Sequence, residues 1–350
     1  MGILHSSLLP LLLAPAFCRA QSTAPVSEEV SWQLGVTTVT ATLTLPAGKG
    51  PFPAVVFVAG SGPTDRDWNS SLLPGRNGTA PLLAAELAKA GFAVLRYDKR
   101  FLGPYGPANL AALGGKVSFR THREEVESAA AYLRGRNETG GGKLFALTNS
   151  EGALHALNCQ IEGGCGFSGL VLTAPQGRTS KDLMRWQIGK QVGSMPGAAG
   201  IMARYDALIA KFQAGLPFAA DPELPAGLNN LVSSFYAGLP FTREFLTADA
   251  PSLSSKAGVP QLVLIGKKDI QVDHEIDGAL FEKAAVPGME TFYPANANHV
   301  LKFEPRPAAQ LSAQDGLSYN AAGRKLDQET ADKIISWLKS HAEAKKGTVK

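Results

Sequence analysis

Near-continuous apolar runs recur along the chain with helical patterns between them, and this alternation constrains the fold more than any other feature. Ala54 to Ala59, Phe92 to Tyr97, Leu144 to Thr148, Leu170 to Ala174 and Leu262 to Ile265 each read as a strand buried on both faces. Helical patterns cover 81–90, 122–134, 152–160 and 328–341. Strands alternating with helices predict an α/β fold on a mostly parallel, doubly wound sheet with right-handed connections. Ahead of them, residues 31–45 alternate β-branched and polar side chains, which predicts antiparallel strands at the amino end of the sheet.

The alternation stops between Gln176 and Ala257. Helix-like segments fill 182–192, 199–213 and 228–239 with no strand between them, and an inserted helical cap is the simplest reading. A chain of 350 residues accommodates one large domain with such an insertion. The division expected is a signal peptide over 1–20, a first part of the core over 21–175, the cap over 176–257, and a second part of the core over 258–350 that ends in a Lys-rich tail. With 45% hydrophobic and 18% charged residues, a disordered chain is excluded. A net charge of +4 without a dense basic run leaves no electrostatic footprint for nucleic acid.

Leu8 to Phe17 is a short apolar run, followed by Cys18-Arg19-Ala20 with small residues where a signal peptidase reads. About 20 apolar residues are needed to cross a bilayer, so the run fits export with cleavage near Ala20 and no stable membrane insertion afterwards. The mature protein is then expected in the periplasm or outside the cell.

In an open α/β sheet, ligands bind beyond the carboxyl ends of the strands. There, after Leu144–Thr148, stands Asn149-Ser150-Glu151-Gly152, leading into a helix. A sharp strand-to-helix turn presents its central side chain above the sheet, and a small residue two places on lets helix and strand approach. Ser150 is therefore the candidate nucleophile, although Thr148 replaces the glycine usual two residues before it.

A serine nucleophile needs a base, and the base needs an acid to orient it. Of six histidines, His299 follows the loop after a short strand at 290–293, whereas His122 and His155 lie in helices. Asp269 stands just past the strand that ends at Ile265, with Asp273 the alternative acid four residues on. The order Ser150, Asp269, His299 is the order expected for a triad on this kind of sheet. An acyl-transfer site also needs N–H donors for the oxyanion. The backbone of Glu151, at the amino end of the elbow helix, supplies one. The glycine-flanked Ser61, in Gly60-Ser61-Gly62-Pro63, supplies the other.

These segments, with Thr64-Asp65-Arg66-Asp67, Arg96-Tyr97-Asp98-Lys99-Arg100, Asp269-Ile270-Gln271-Val272 and Asn298-His299-Val300-Leu301-Lys302, resemble secreted bacterial α/β-hydrolases of the serine esterase type. That type is related to the dienelactone hydrolase and serine aminopeptidase-like groups. The resemblance implies Ser150 as nucleophile, His299 as base and Asp269 as orienting acid. It also implies a helical cap over the pocket and activity on carboxylic esters without a cofactor, and no His-Glu-x-x-His or clustered acid set in the chain suggests a metal. The chain departs from the family pattern at Ala59, at Thr148-Asn149 and at Phe101-Leu102-Gly103-Pro104.

Asp65, Arg66, Asp67, Asp98, Lys99 and Arg100 are expected to form an ion-pair network ordering the loops around the oxyanion site. Cys159 and Cys165 offer either a small disulfide loop or two buried thiols. The cap carries Met184, Trp186, Met195, Met202, Phe212, Phe218, Phe235 and Phe241, a supply of apolar side chains for a short or medium acyl group. Cleavage of thioesters or small peptides by the same triad stays open at this point. So does a binding protein whose altered elbow no longer turns over.

Overall fold

The computed structural model describes residues 24–343; the predicted export signal lies outside them. Eight strands form one sheet. They are β1 (Val26–Leu34), β2 (Thr37–Leu45), β3 (Ala54–Val58), β4 (Ala93–Tyr97), β5 (Leu144–Asn149), β6 (Gly169–Thr173), β7 (Gln261–Leu264) and β8 (Met289–Phe292). Their spatial order is β1-β2-β4-β3-β5-β6-β7-β8. β1 and β2 are antiparallel to their neighbours, and all pairs from β4 through β8 are parallel. The antiparallel start and parallel body agree with the sequence reading.

Six helices of the first part and start of the cap are α1 (Thr79–Lys89), α2 (Gly106–Ala112), α3 (Phe119–Arg134), α4 (Gly152–Ile161), α5 (Ser180–Val192) and α6 (Ala198–Gln213). The remainder are α7 (Ala226–Ala237), α8 (Phe241–Thr247), α9 (Ala250–Ser254), α10 (Ile276–Lys283) and α11 (Gln328–Ala342). The central strands are buried along their whole length because helices cover both faces. On β3, Ala54, Val56 and Val58 face a core with Val126 and Leu133 of α3 and Leu154 and Leu157 of α4. Val55 and Phe57 face the opposite core, with Leu83 and Leu87 of α1 and Ile334 and Leu338 of α11. The strand period of two thus serves two cores at once.

Helices α5 to α8 lie between β6 and β7 and hold a core of their own. Tyr205, Phe212, Val232, Phe235 and Leu246 are buried together there. Several aromatics expected to line a pocket therefore hold the cap itself together instead. Side chains tie the insertion to the rest of the fold, among them the amide of Gln187 in α5, which donates to Gln271 O at 2.9 Å. Glu244 of α8 accepts the free N–H of Phe119 at the start of α3, at 2.9 Å. Arg178, ahead of α5, pairs with the buried Asp277 of α10 at 2.6 Å. Among the described residues no helix is long and apolar enough to cross a membrane.

Candidate active site

Ser150 follows β5 with a backbone φ of +53°, a left-handed value that non-glycine residues adopt rarely and at some cost. Its N–H donates to Thr173 O of β6 at 2.9 Å, and its carbonyl accepts from Ala153 in α4 at 3.0 Å. The turn is held by its two flanks. Gly152 is required: a Cβ there would stand 2.4 Å from Val58 O and 2.8 Å from Ala59 O. A Cβ on Gly60 would meet the Ser150 Cβ at 3.3 Å, so the loop after β3 lies directly against the serine.

Asp269 and His299 stand past the ends of β7 and β8. His299 Nδ1 lies 2.8 Å from Asp269 Oδ2, and the Asp269 side chain is fully buried. The other carboxylate oxygen accepts the N–H groups of Gln271 (2.7 Å) and Val272 (3.0 Å), which fixes its orientation. Asp273, the alternative acid, is used differently: its Oδ1 accepts from Glu275 and Ile276 and closes the turn into α10. Asn149 was read as a departure from the family pattern, yet it has work of its own. Its side-chain amide donates to the His299 carbonyl at 3.1 Å, tying the serine turn to the histidine loop across 150 residues of chain.

Beside the serine, the Ser61 and Glu151 N–H groups have no acceptor among the described residues. The carbonyls around Ser61 are all engaged. Thr64 Oγ1 donates to Ser61 O at 2.7 Å, and Lys99 Nζ donates to both Gly60 O and Gly62 O, the latter at 2.9 Å. Holding the carbonyls inward leaves the Ser61 N–H directed away from them. Lys99 is buried, and burial pushes its pKa down against the pull of Glu151 and Glu125. Of the six residues expected to form an ion-pair network, Arg66 and Asp98 pair with each other (2.7 Å), and four partners come from outside that set: Glu29 with Arg66, Arg96 with Asp67, and Glu124 (3.0 Å) and Glu125 with Arg100. Asp65 is a turn former, accepting from the N–H groups of Asp67 and Asn69.

A cavity of about 370 Å³ opens next to Gly62 and Glu151, under α8 of the cap. Phe101, Leu110, Val117, Leu239 and Phe241 form its apolar wall. Of the cap aromatics named from the sequence, Phe241 reaches it. His122 and Glu151 form its polar end. Burial would raise the Glu151 pKa, but the His155 hydrogen bond (3.0 Å) and the Lys99 charge outweigh it and hold the carboxyl at about 2. Burial and the neighbouring His122 push His155 down to about 4, so its ring is neutral at pH 7. The i, i+4 spacing of Glu151 and His155 on one helix was visible in the sequence; their meeting with His122 of α3 was not.

His122, Glu151 and His155 bring candidate ligand atoms within 4.8 Å of one another, residue types that can hold a metal ion. The two imidazole rings lie with centroids 4.4 Å apart, tilted by 31°. Cys159 near the end of α4 and Cys165 in the segment after it are joined in a disulfide, with Cα atoms 5.4 Å apart.

Comparisons with known proteins agree with this architecture. The chain is 28% identical over 300 residues to Esterase EstD of Thermotoga maritima, an alignment covering 85% of this chain and 64% of that protein's length. Among solved structures, an esterase of Pyrococcus furiosus superposes with a TM-score of 0.54 at 15% identity, over 95% of this chain and 97% of the other. A dienelactone hydrolase of Anabaena variabilis gives 0.51 at 15% identity, over 91% and 99%. Both share the fold of the sheet and its helices. Residues 77–306 match the profile of the serine aminopeptidase family S33, and with that stretch covering most of the described chain, the protein belongs to this α/β-hydrolase family.

Proposed function

We propose that this protein is an exported serine hydrolase that cleaves small carboxylic esters. The observation that carries the reading is the buried Asp269–His299 pair, 2.8 Å apart, at the same end of the sheet as a serine strained into a left-handed turn. Ser150 attacks the acyl carbon and gives its proton to His299, whose charged form Asp269 stabilises. The oxyanion rests on the N–H groups of Ser61 and Glu151. His299 then protonates the leaving alcohol, and water activated by the same imidazole cleaves the acyl-enzyme. The residues need no cofactor for this sequence of steps. The cavity beside Glu151 takes a short to medium acyl group. Export rests on the apolar run 8–17 with its cleavage motif, and a disulfide fits an oxidising compartment.

The direct test is labelling with a fluorophosphonate, followed by mass spectrometry of the digested protein. The adduct is expected on the peptide carrying Ser150 in the folded protein and not after heat denaturation. Folded protein that stays unlabelled, or is labelled elsewhere, would falsify the reading. Hydrolysis of p-nitrophenyl esters of increasing length then sizes the pocket, and thioester and aminoacyl amide substrates separate the alternatives on the same triad.

Lys99 is the positioning residue of this scheme. Lys99→Met removes both donors from the Gly60 and Gly62 carbonyls and frees the loop that aims the Ser61 N–H. Loss of one oxyanion donor costs about 10²–10³ in kcat, so kcat is expected to fall about a hundredfold with KM little changed. A change confined to KM, or to thermal stability, would show that Lys99 serves only packing.

A further inference from the structure

We propose that Tyr319 is a positioning residue for the catalytic base, fixing the plane of the His299 imidazole, and that the buried ammonium of Lys302 seats it there. This rests on the hydrolase reading above, in which His299 takes the proton of Ser150, and adds two residues to it. A base works only when its lone pair points at the proton it removes. The backbone of the histidine loop is held from three directions. Asn149 donates to His299 O at 3.1 Å, and Thr79, at the start of α1, donates to Val300 O at 2.6 Å. Asn298 Oδ1 closes the turn from within, accepting from the N–H groups of Val300 (3.1 Å) and Lys302 (2.9 Å).

These bonds leave the side chain less constrained. Asp269 fixes one ring atom, Nδ1, at 2.8 Å. A ring held at one atom can still tilt about that contact and carry Nε2 away from the serine. What opposes the tilt is a second flat surface. The Tyr319 ring lies 24° from parallel to the imidazole, with centroids 6.3 Å apart, inside the range over which aromatic rings pack. Tyr319 is 3% exposed, so its ring is itself confined. Its hydroxyl has the Gln271 side chain nearby but no partner at hydrogen-bond geometry. The ring, not the hydroxyl, is therefore the part that acts.

Lys302 holds Tyr319 in place. Its side chain is wholly buried, and Nζ donates to Tyr319 O at 3.0 Å and to Asn77 O. Burial and the nearby Arg324 charge push its pKa down to about 8. Among the described residues no carboxylate pairs with it, and Glu304 is taken by Arg306 and Arg324. A buried charge without a counter-ion is costly, and what this one holds is two carbonyls. They join the end of the loop after β3 to the segment carrying Tyr319. Asn77 strengthens the joint, its side-chain amide donating to Ala321 O (3.0 Å) and Arg324 O (2.8 Å). Lys302 stands three residues past His299, so one short loop carries both the base and the post that seats its wall.

The test replaces Tyr319 by methionine, which fills the space without a flat face, and by phenylalanine, which keeps the ring. One-dimensional proton NMR follows the His299 Nδ1–H, whose bond to a carboxylate carries it far downfield; its loss in Asp269→Asn assigns it. Wild type and Tyr319→Phe are expected to show the resonance, and Tyr319→Met to lose it. On p-nitrophenyl butyrate, Tyr319→Met should lower kcat by about 10–100-fold, the scale for a group displaced by about an ångström, with KM little changed. Tyr319→Phe should restore kcat. Lys302→Met should show both losses to a smaller degree, and it serves if Tyr319→Met does not fold. In the wild type itself, nuclear Overhauser contacts between the two rings are required, whichever variants fold. Their absence overturns the proposal. So does a folded Tyr319→Met that keeps either the resonance or its kcat, or a Tyr319→Phe as impaired as Tyr319→Met. If the wild type turns over no ester, the resonance still decides the positioning, and only the hydrolase reading falls.

Discussion

Ser150→Ala is expected to lower the turnover of p-nitrophenyl butyrate by about 10⁴–10⁶-fold, the range seen when a triad nucleophile is removed. The melting temperature should stay almost unchanged. The Ser150 hydroxyl makes no hydrogen bond to a described residue, and alanine occupies the same left-handed turn at a similar steric cost. The backbone bonds to Thr173 and Ala153 that hold the turn do not involve the side chain. Loss of activity without loss of stability is therefore the specific expectation, read by initial rates and a thermal melt on the same preparation. A residual rate within tenfold of wild type would mean that another group attacks the ester.

The second large effect is at Asp269. Asp269→Asn should reduce kcat by about 10⁴-fold while the loop after β7 keeps its shape. The present geometry fixes which way the amide would sit. Oδ1 of the aspartate already accepts two backbone N–H groups, from Gln271 and Val272, and the asparagine oxygen would keep that position. The amide nitrogen would then face His299 Nδ1 in place of the carboxylate oxygen now 2.8 Å away. Two donors cannot share that contact, so His299 would carry its proton on Nε2 and could not take one from Ser150. Asp273→Asn is the internal control, since that carboxylate only closes the turn into α10. A drop at Asp273 matching that at Asp269 would move the orienting acid.

How much of this was legible in the sequence depends on the kind of information each feature carries. The strands were legible because a sheet covered on both faces imposes unbroken apolar runs, a signal contained within five or six residues. The helical insertion was legible as the place where those runs stop. Ser150, Asp269 and His299 could be singled out because each stands just past a strand, where the fold delivers side chains to one rim of the sheet. Gly152 could be read for the same local reason, and the structure supplies the clash that requires it.

What escaped the sequence were pairings between distant segments, which no periodicity encodes. Lys99 could be assigned to a charged network but not to the two carbonyls it holds 39 and 37 residues earlier. Asn149 looked only like a departure from the family pattern until its bond to the His299 carbonyl was seen. His122 and His155 read as two unrelated helical histidines; packing of α3 on α4 stacks them beside Glu151. The cap aromatics show the same limit, since a helix's apolar face says that it is buried but not against what. Phe212 and Phe235 went to the cap's own core and Phe241 to the cavity. The sequence by itself determined the layered sheet and the three residues at its rim, because local burial and strand ends are written in neighbouring residues. The tertiary structure alone decided the donors, acceptors and charges that surround them, because those depend on which distant surfaces come into contact.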